Sequence, residues 1–363
     1  MVAACQGRSR LRGAFGSDCF QTFPQLLPVF PVLSQHCLCH SDNYHRIHGQ
    51  YSRWWRDNHA PVDGRRVLLI SRRVLLRNSL LAAPVLMALP GWASDQSKDA
   101  ALEHRLATLE QQHGGRLGVA ILDTANGRLI SNRGNERFPM CSTHKLITAA
   151  LVLQRVDHAQ ETLNQRVIYS ASDLMEYAPF TSKHAGKPGV TIGELCEAAV
   201  TLSDGTASNL ILRSVGGPTA WTTWVRSLGD SVTRLDRYEP EMDRVGPGDP
   251  RDSTTPIAML RNVQKLVLGD VLSAASRKQF TAWLLACQTG GNRLHAGLPQ
   301  DWREADKTGT GPAINNAVND VAVLWPPHRA PILVAAYYAD SRESDDQRDA
   351  VLASVGRLVA TSV

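Results

Sequence analysis

The chain has 363 residues, 43% hydrophobic and 20% charged, so a sizeable core can be buried in one large or two ordinary domains. Its formal charge of +5 is uneven: arginine crowds the first eighty residues and the remainder is near balance. With no basic stripe interleaved with aromatics in the globular part, nucleic acid is not an expected partner. The absence of a CxxC pair or an HExxH motif leaves a zinc mechanism without support, and no metal or cofactor is implied.

In chain order, residues 1–66 show no clear helical or strand periodicity and are rich in Arg, His and Cys. They are expected to be a disordered or non-native extension, with translation starting near Val67. Here His36-Cys37-Leu38-Cys39-His40 imitates a metal cluster, but its spacing matches no standard zinc module. Residues 67–94 read as a signal peptide: basic Arg72-Arg73, an apolar run from Leu80 to Leu89, then small residues around Gly91-Trp92-Ala93-Ser94. Cleavage is expected near Ala93 or Ser94, delivering residues 95–363 to the periplasm. The paired arginines followed by x-Leu-Leu favour the twin-arginine route over the Sec route. The apolar run is too short to serve as a stable membrane anchor.

Leu102, Leu106 and Leu109 give residues 96–112 helical spacing, ended by Gly114-Gly115. Leu117 to Leu122 reads as a buried strand, and Asn126-Gly127 as a hairpin turn into Arg128-Leu129-Ile130. A long helical region follows to about residue 290. Strand-like segments return at 304–311, 318–325 and 331–338, and residues 344–361 form a last amphipathic helix. Strands at both ends with helices between imply one sheet built from both termini and a helical subdomain inserted between them: an α+β fold.

Four segments carry chemistry. Ser142 and Lys145 lie three apart at the start of a helix that is apolar nearly all round, so they share a face. A neutral lysine there can take the hydroxyl proton, and the helix N-terminus favours developing negative charge. Alone, Ser-x-x-Lys is more often a capping serine beside a solvated lysine. Ser203-Asp204-Gly205 sits on a short link between two helices, the first opened by the capping box Thr191-Ile192-Gly193-Glu194. There a hydroxyl can project into a cleft, although a plain turn is the commoner reading. Lys307-Thr308-Gly309-Thr310-Gly311 lies on a strand whose lysine and two hydroxyls are expected on one side, suiting an anionic ligand along the edge. Taken singly it would be an edge strand with a protective lysine. The fourth segment, Arg234-Leu235-Asp236-Arg237-Tyr238-Glu239-Pro240-Glu241, would by itself be a solvated turn.

These motifs in this order resemble the class A serine β-lactamases, over roughly residues 96–362. The resemblance implies an antiparallel five-stranded sheet flanked by helices, an inserted all-helical subdomain, and an active site between them. It implies a hydrolase that opens the β-lactam ring of penicillins and cephalosporins through an acyl-enzyme on Ser142, conferring antibiotic resistance. Lys145 or Glu239 would take the Ser142 proton, Ser203 would pass a proton to the leaving nitrogen, and Glu239, in the omega loop, would activate the deacylating water. Lys307, Thr308, Gly309, Thr310 and Arg293 would receive the substrate carboxylate. Tyr177 matches the aromatic wall at the cleft mouth, and Arg237 with Asp252 the ion pair bracing the loop. A small-molecule substrate is the expected partner, and the enzyme is expected to be a monomer.

The sequence departs from the family pattern at several places. Gly205 stands where an asparagine is usual, which loosens side-chain discrimination. Asp243 stands where an asparagine usually sits beside the catalytic water, and its charge near Glu239 should raise the pKa of at least one of the two acids. Two family disulfides look absent, because the partners of Cys196 and Cys141 fall on Ala149 and Gly311. The rival readings are a penicillin-binding DD-peptidase and an antibiotic-sensor domain, which acylate without turnover. Glu239 argues against both.

Overall fold

Strand β1 (Arg116–Asp123) is buried on both faces, which is why it reads as an unbroken apolar run. Leu117, Val119 and Ile121 enter one core while Ala120 and Leu122 enter another, as the two-residue period of a strand requires. The structure, a computed structural model, describes residues 90–362, with side chains from residue 97 onward. They belong to a single unit, Leu86–Val363. The expected extension and most of the expected signal peptide lie outside the described residues.

Asn126-Gly127 turns β1 into β2 (Arg128–Asn132), and the chain returns to the sheet as β3 (Arg303–Thr310), β4 (Val318–Trp325) and β5 (Ile332–Ala339). The order across the sheet is β2-β1-β5-β4-β3, antiparallel throughout, with Ile121 between Ile130 and Val334. One face is covered by α1 (Pro90–His113) and α8 (Asp345–Ala360), through Leu102, Leu106, Val351 and Val355. Ser344 and Gln347 form the capping box that opens α8.

The other face meets the inserted helices. At its centre runs α2 (His144–Asp157), whose residues from His144 to Leu153 are all buried. Around it lie α3 (Ile192–Thr201), α4 (Gly205–Ser214), α5 (Gly217–Ser227), α6 (Pro256–Val263) and α7 (Ala274–Leu285). Trp221 of α5 reaches Thr148 of α2, its indole Nε1 donating to Oγ1 at 3.0 Å. Gly118 lets the layers close, since a β-carbon there would fall 2.3 Å from the Phe138 ring.

The expected α+β arrangement is the one observed. The sequence reading placed the first helix at 96–112, whereas α1 starts earlier, at Pro90, and spans the expected cleavage point. The expected helical region is also interrupted by two short antiparallel pairings, Phe138–Pro139 with Ser253–Thr254 and Arg166–Val167 with Val190–Thr191. Two-residue strands carry too little alternation to register as a pattern.

Candidate active site

Ser142 sits in a 3₁₀ turn, Cys141–Thr143, that runs directly into α2. Cys141 before it has φ +46°, a left-handed conformation that a non-glycine residue holds only when its surroundings impose it. Those surroundings are explicit. Asn319 of β4 donates from Nδ2 to the carbonyls of Pro139 (2.9 Å) and Met140 (3.1 Å), and the Met140 amide donates to Asp252 O at 3.0 Å. Strand β3 backs against the turn at Gly309, where a β-carbon would lie 2.8 Å from the Met140 carbonyl.

Lys145, 1% exposed, lies one helical turn on. Its Nζ donates to Ser203 O at 2.7 Å and Ser203 Oγ at 3.4 Å, and stands 3.1 Å from Glu239 Oε1. Ser203 occupies the link between α3 and α4 with φ +60°. Asp204 fixes that link: its carboxylate caps α4 through the Ala207 amide and accepts the amides of Phe180 and Thr181, each bond 2.8–2.9 Å long. From the opposite side Lys307 Nζ donates to Ser203 Oγ at 3.1 Å and to Thr308 O at 2.8 Å. Two ammonium groups therefore converge on one hydroxyl. Complete burial pushes the Lys307 amine down to about 8.

The expectation that Lys307, Thr308 and Thr310 share one side of their strand needs correction. Lys307 turns inward to Ser203, whereas Thr308 meets Thr289 and Thr310 is exposed, accepting from Arg293 Nη2 at 2.7 Å. Adjacent strand residues alternate, so only the two threonines can share a face. Arg293 is itself anchored, donating from Nη1 to Gly309 O and Asn319 O at 2.8 Å each and pairing through Nε with Asp349 at 2.8 Å.

Glu239, its side chain 9% exposed, completes the cluster. Asn209 of α4 clamps its backbone in both directions, accepting the Glu239 amide at 3.1 Å and donating to its carbonyl at 2.9 Å. The surrounding loop is braced as expected. Arg237 Nε donates to Asp252 Oδ2 at 2.6 Å, and Asp252 Oδ1 accepts the amides of Asp236 (2.6 Å) and Arg237 (3.0 Å). Asp243 closes the short 3₁₀ turn Glu241–Asp243, with Oδ1 buried and without a hydrogen-bond partner. Burial first, and the Glu239 charge second, push this carboxyl up to about 7. This meets the expectation that one acid of the pair would be raised. Tyr177, 59% exposed, lies beside the Ser203–Gly205 link, its carbonyl accepting the Gly205 amide at 3.0 Å.

The sequence reading missed four residues. Asn209 and Asn319 hold the Glu239 and Cys141–Ser142 segments, Asn315 ties Asp243 O (2.8 Å) and Val245 O (3.2 Å) to the β3–β4 connection, and His144 is buried between Cys141, Ser208 and Glu239. The signal for Asn209 was its position on the helix that begins just after Ser203. Asn315 and Asn319 belong to no motif, and His144 fills an unspecified position of Ser-x-x-Lys. Cys141, Cys196 and Cys287 are unbridged, and a β-carbon on Gly311 would lie 3.1 Å from Cys141 Sγ. Among the described residues no helix is long and apolar enough to cross a membrane, and no group of His, Cys, Asp and Glu is placed to hold a metal ion.

Residues 101–363 match the model of the Beta-lactamase enzyme family. The chain is 47% identical to β-lactamase L2 of Stenotrophomonas maltophilia over 77% of its own length and 93% of the relative's. It is 44% identical to a β-lactamase of Streptomyces albus G, over 75% and 87% of the two chains. The solved structure of the ancestral (GNCA) class A β-lactamase superposes with a TM-score of 0.71 at 57% identity, covering 72% of this chain and all (100%) of that one. Matches of this extent, on a fold with this cluster of side chains between sheet and helices, have one reading: the chain belongs to the class A β-lactamases.

Proposed function

We propose that the enzyme hydrolyses penicillins and cephalosporins through an acyl-enzyme on Ser142. The observation that carries this reading is Lys145 Nζ, which lies within 3.4 Å of both groups assigned to proton transfer, Ser203 and Glu239. Ser142 attacks the lactam carbonyl and its proton passes to Lys145, or through water to Glu239. The developing oxyanion is received by the backbone N–H groups of Ser142 and Thr310, each such donor being worth about 3 kcal/mol of barrier. Ser203, with Lys307 and Lys145 both donating to its oxygen, has its own proton free for the leaving nitrogen. Lys307, Thr308, Gly309, Thr310 and Arg293 bind the substrate carboxylate, and Tyr177 supports the side chain at the rim. Glu239 then directs water onto the ester. Asp243 lies beside that water.

The experiment is nitrocefin hydrolysis by the purified enzyme beside Ser142→Ala and Glu239→Ala. Steady turnover by the parent, none by the first variant and a stoichiometric adduct on the second is the expected pattern. A single burst from the parent would make the protein an acylating relative without turnover. We further propose export to the periplasm with removal of residues 67–94 and a monomeric mature enzyme. N-terminal sequencing and sedimentation of the exported form test both.

A further inference from the structure

His144 lies two residues after Ser142 and directly before Lys145, yet the reaction above gives it no role. It is 1% exposed. Its Nδ1 lies 2.9 Å from the Cys141 carbonyl, which can only accept, so Nδ1 carries the proton. Nε2 is then an acceptor, and the Ser208 hydroxyl of α4, 3.1 Å away, donates to it. Burial pushes the imidazole down to about 4, which keeps it neutral in the working enzyme.

The same Nε2 stands 3.8 Å from Glu239 Oε1. That oxygen is buried and makes no aligned hydrogen bond, although Lys145 Nζ is 3.1 Å away. In the resting enzyme two acceptors thus face one another. Deacylation changes this. The attacking water forms a C–O bond to the acyl carbon of the Ser142 ester, and its proton moves to the Glu239 carboxylate. The proton returns to Ser142 Oγ as the ester C–O bond breaks. While Glu239 holds it, the carboxyl is a donor that needs an acceptor, and an ammonium group offers none.

We propose that His144 is a positioning residue for this step: its Nε2 accepts a hydrogen bond from protonated Glu239, while the Ser208 hydroxyl, which holds the same lone pair at rest, turns away. The inference rests on Glu239 being the deacylating base. The groups facing His144 are Lys145 from α2, Lys307 from β3, Glu239 from the omega loop with Asp243 behind it, and Ser208, a neutral hydroxyl, from α4. Of these, Ser208 is the group hydrogen-bonded to Nε2 at rest.

The test is the pH profile of acylation and deacylation, separated by rapid mixing with nitrocefin, for His144→Phe and Ser208→Ala in the whole enzyme. His144→Phe removes the acceptor and keeps an aromatic ring. Deacylation should slow about tenfold with acylation unchanged, and its acid midpoint should move to lower pH. Ser208→Ala removes the competitor, so its acid midpoint should move the other way, by about half a pH unit. Should His144→Phe fail to fold, the direction of the Ser208→Ala shift decides alone. An unmoved midpoint in Ser208→Ala, or shifts of the same sign in both variants, would overturn the proposal. If Glu239→Ala turns over without accumulating adduct, it is the assignment of Glu239 itself that fails.

Discussion

Gly205 faces the carboxylate of Glu239: a β-carbon built on Gly205 falls 2.8 Å from Glu239 Oε2. The family's usual asparagine at this position would therefore not be a neutral restoration here. Glu239 would have to swing away, and its other oxygen is the one paired with Lys145 at 3.1 Å. Misplacing a reacting group by about an ångström costs on the order of a hundredfold in rate. Gly205→Asn is expected to slow deacylation to that extent and to leave acylation far less affected. Mass spectrometry during turnover should find the Ser142 adduct accumulating; faster turnover without adduct would show that Glu239 has room to spare.

Asp243 sets a second expectation. Its carboxyl, raised to about 7 in the folded enzyme, ionises near 3.8 when unfolded. Between those values the folded state binds the extra proton, so stability falls as pH rises from about 4 to 7. Asp243→Asn should remove that loss, raising Tm above pH 7 by several degrees, a stabilisation on the order of a few kcal/mol, with little change near pH 4. The same variant should alter the acid limb of the rate profile. A Tm difference that is constant with pH would remove titration of Asp243 from the account.

Lys307 predicts an alkaline limb in binding. Its amine, lowered to about 8 by burial, loses its charge above that pH. KM for a substrate bearing a carboxylate should then rise above pH 8, with kcat less affected. Arg293 supplies a second cation beside the strand and retains part of the attraction. Arg293→Ala should therefore steepen the rise. A flat KM in that double comparison would mean that the carboxylate is bound elsewhere.

Asp252 is fully buried and its carboxylate holds Arg237 Nε together with two loop amides. Asp252→Ala leaves a half-buried guanidinium and both N–H groups without their acceptor. Such a break costs about 3–5 kcal/mol. Denaturant unfolding should register it, and deacylation should suffer more than acylation because Glu239 rides on the same loop. Equal loss in both steps would indicate a general collapse rather than release of the loop.

Much of this architecture is legible in the sequence because it rests on period and punctuation. The unbroken apolar run at Leu117–Leu122 marks a strand buried twice, Thr191 and Glu194 mark the start of α3, and Leu146 to Leu153 mark a helix with no solvent face. The structure brings Lys145, Ser203, Glu239 and Lys307 together, and Ser142 opens the helix that carries Lys145. What the sequence hides is the support. Asn319 holds the Cys141 turn from a strand far along the chain, and Asn315 reaches back to Asp243; neither contact has a local pattern. The left-handed φ of Cys141 and Ser203 is equally silent, since no glycine marks it. Lys307 and Thr308, adjacent on one strand, point to opposite faces, toward Ser203 and Thr289 respectively.

The strand order has a consequence for how the enzyme is made. β5 lies between β1 and β4, so the middle of the sheet joins the first strand of the domain to its last. Contacts so distant in sequence make for slow folding, because a long loop must close before they form. The sheet cannot be assembled as the chain emerges from the ribosome. It waits for Ile332–Ala339, and until then β1 has only β2 to pair with. A chain truncated before β5 is accordingly expected to be an unfolded polypeptide rather than a weakened enzyme, even with every catalytic residue in place.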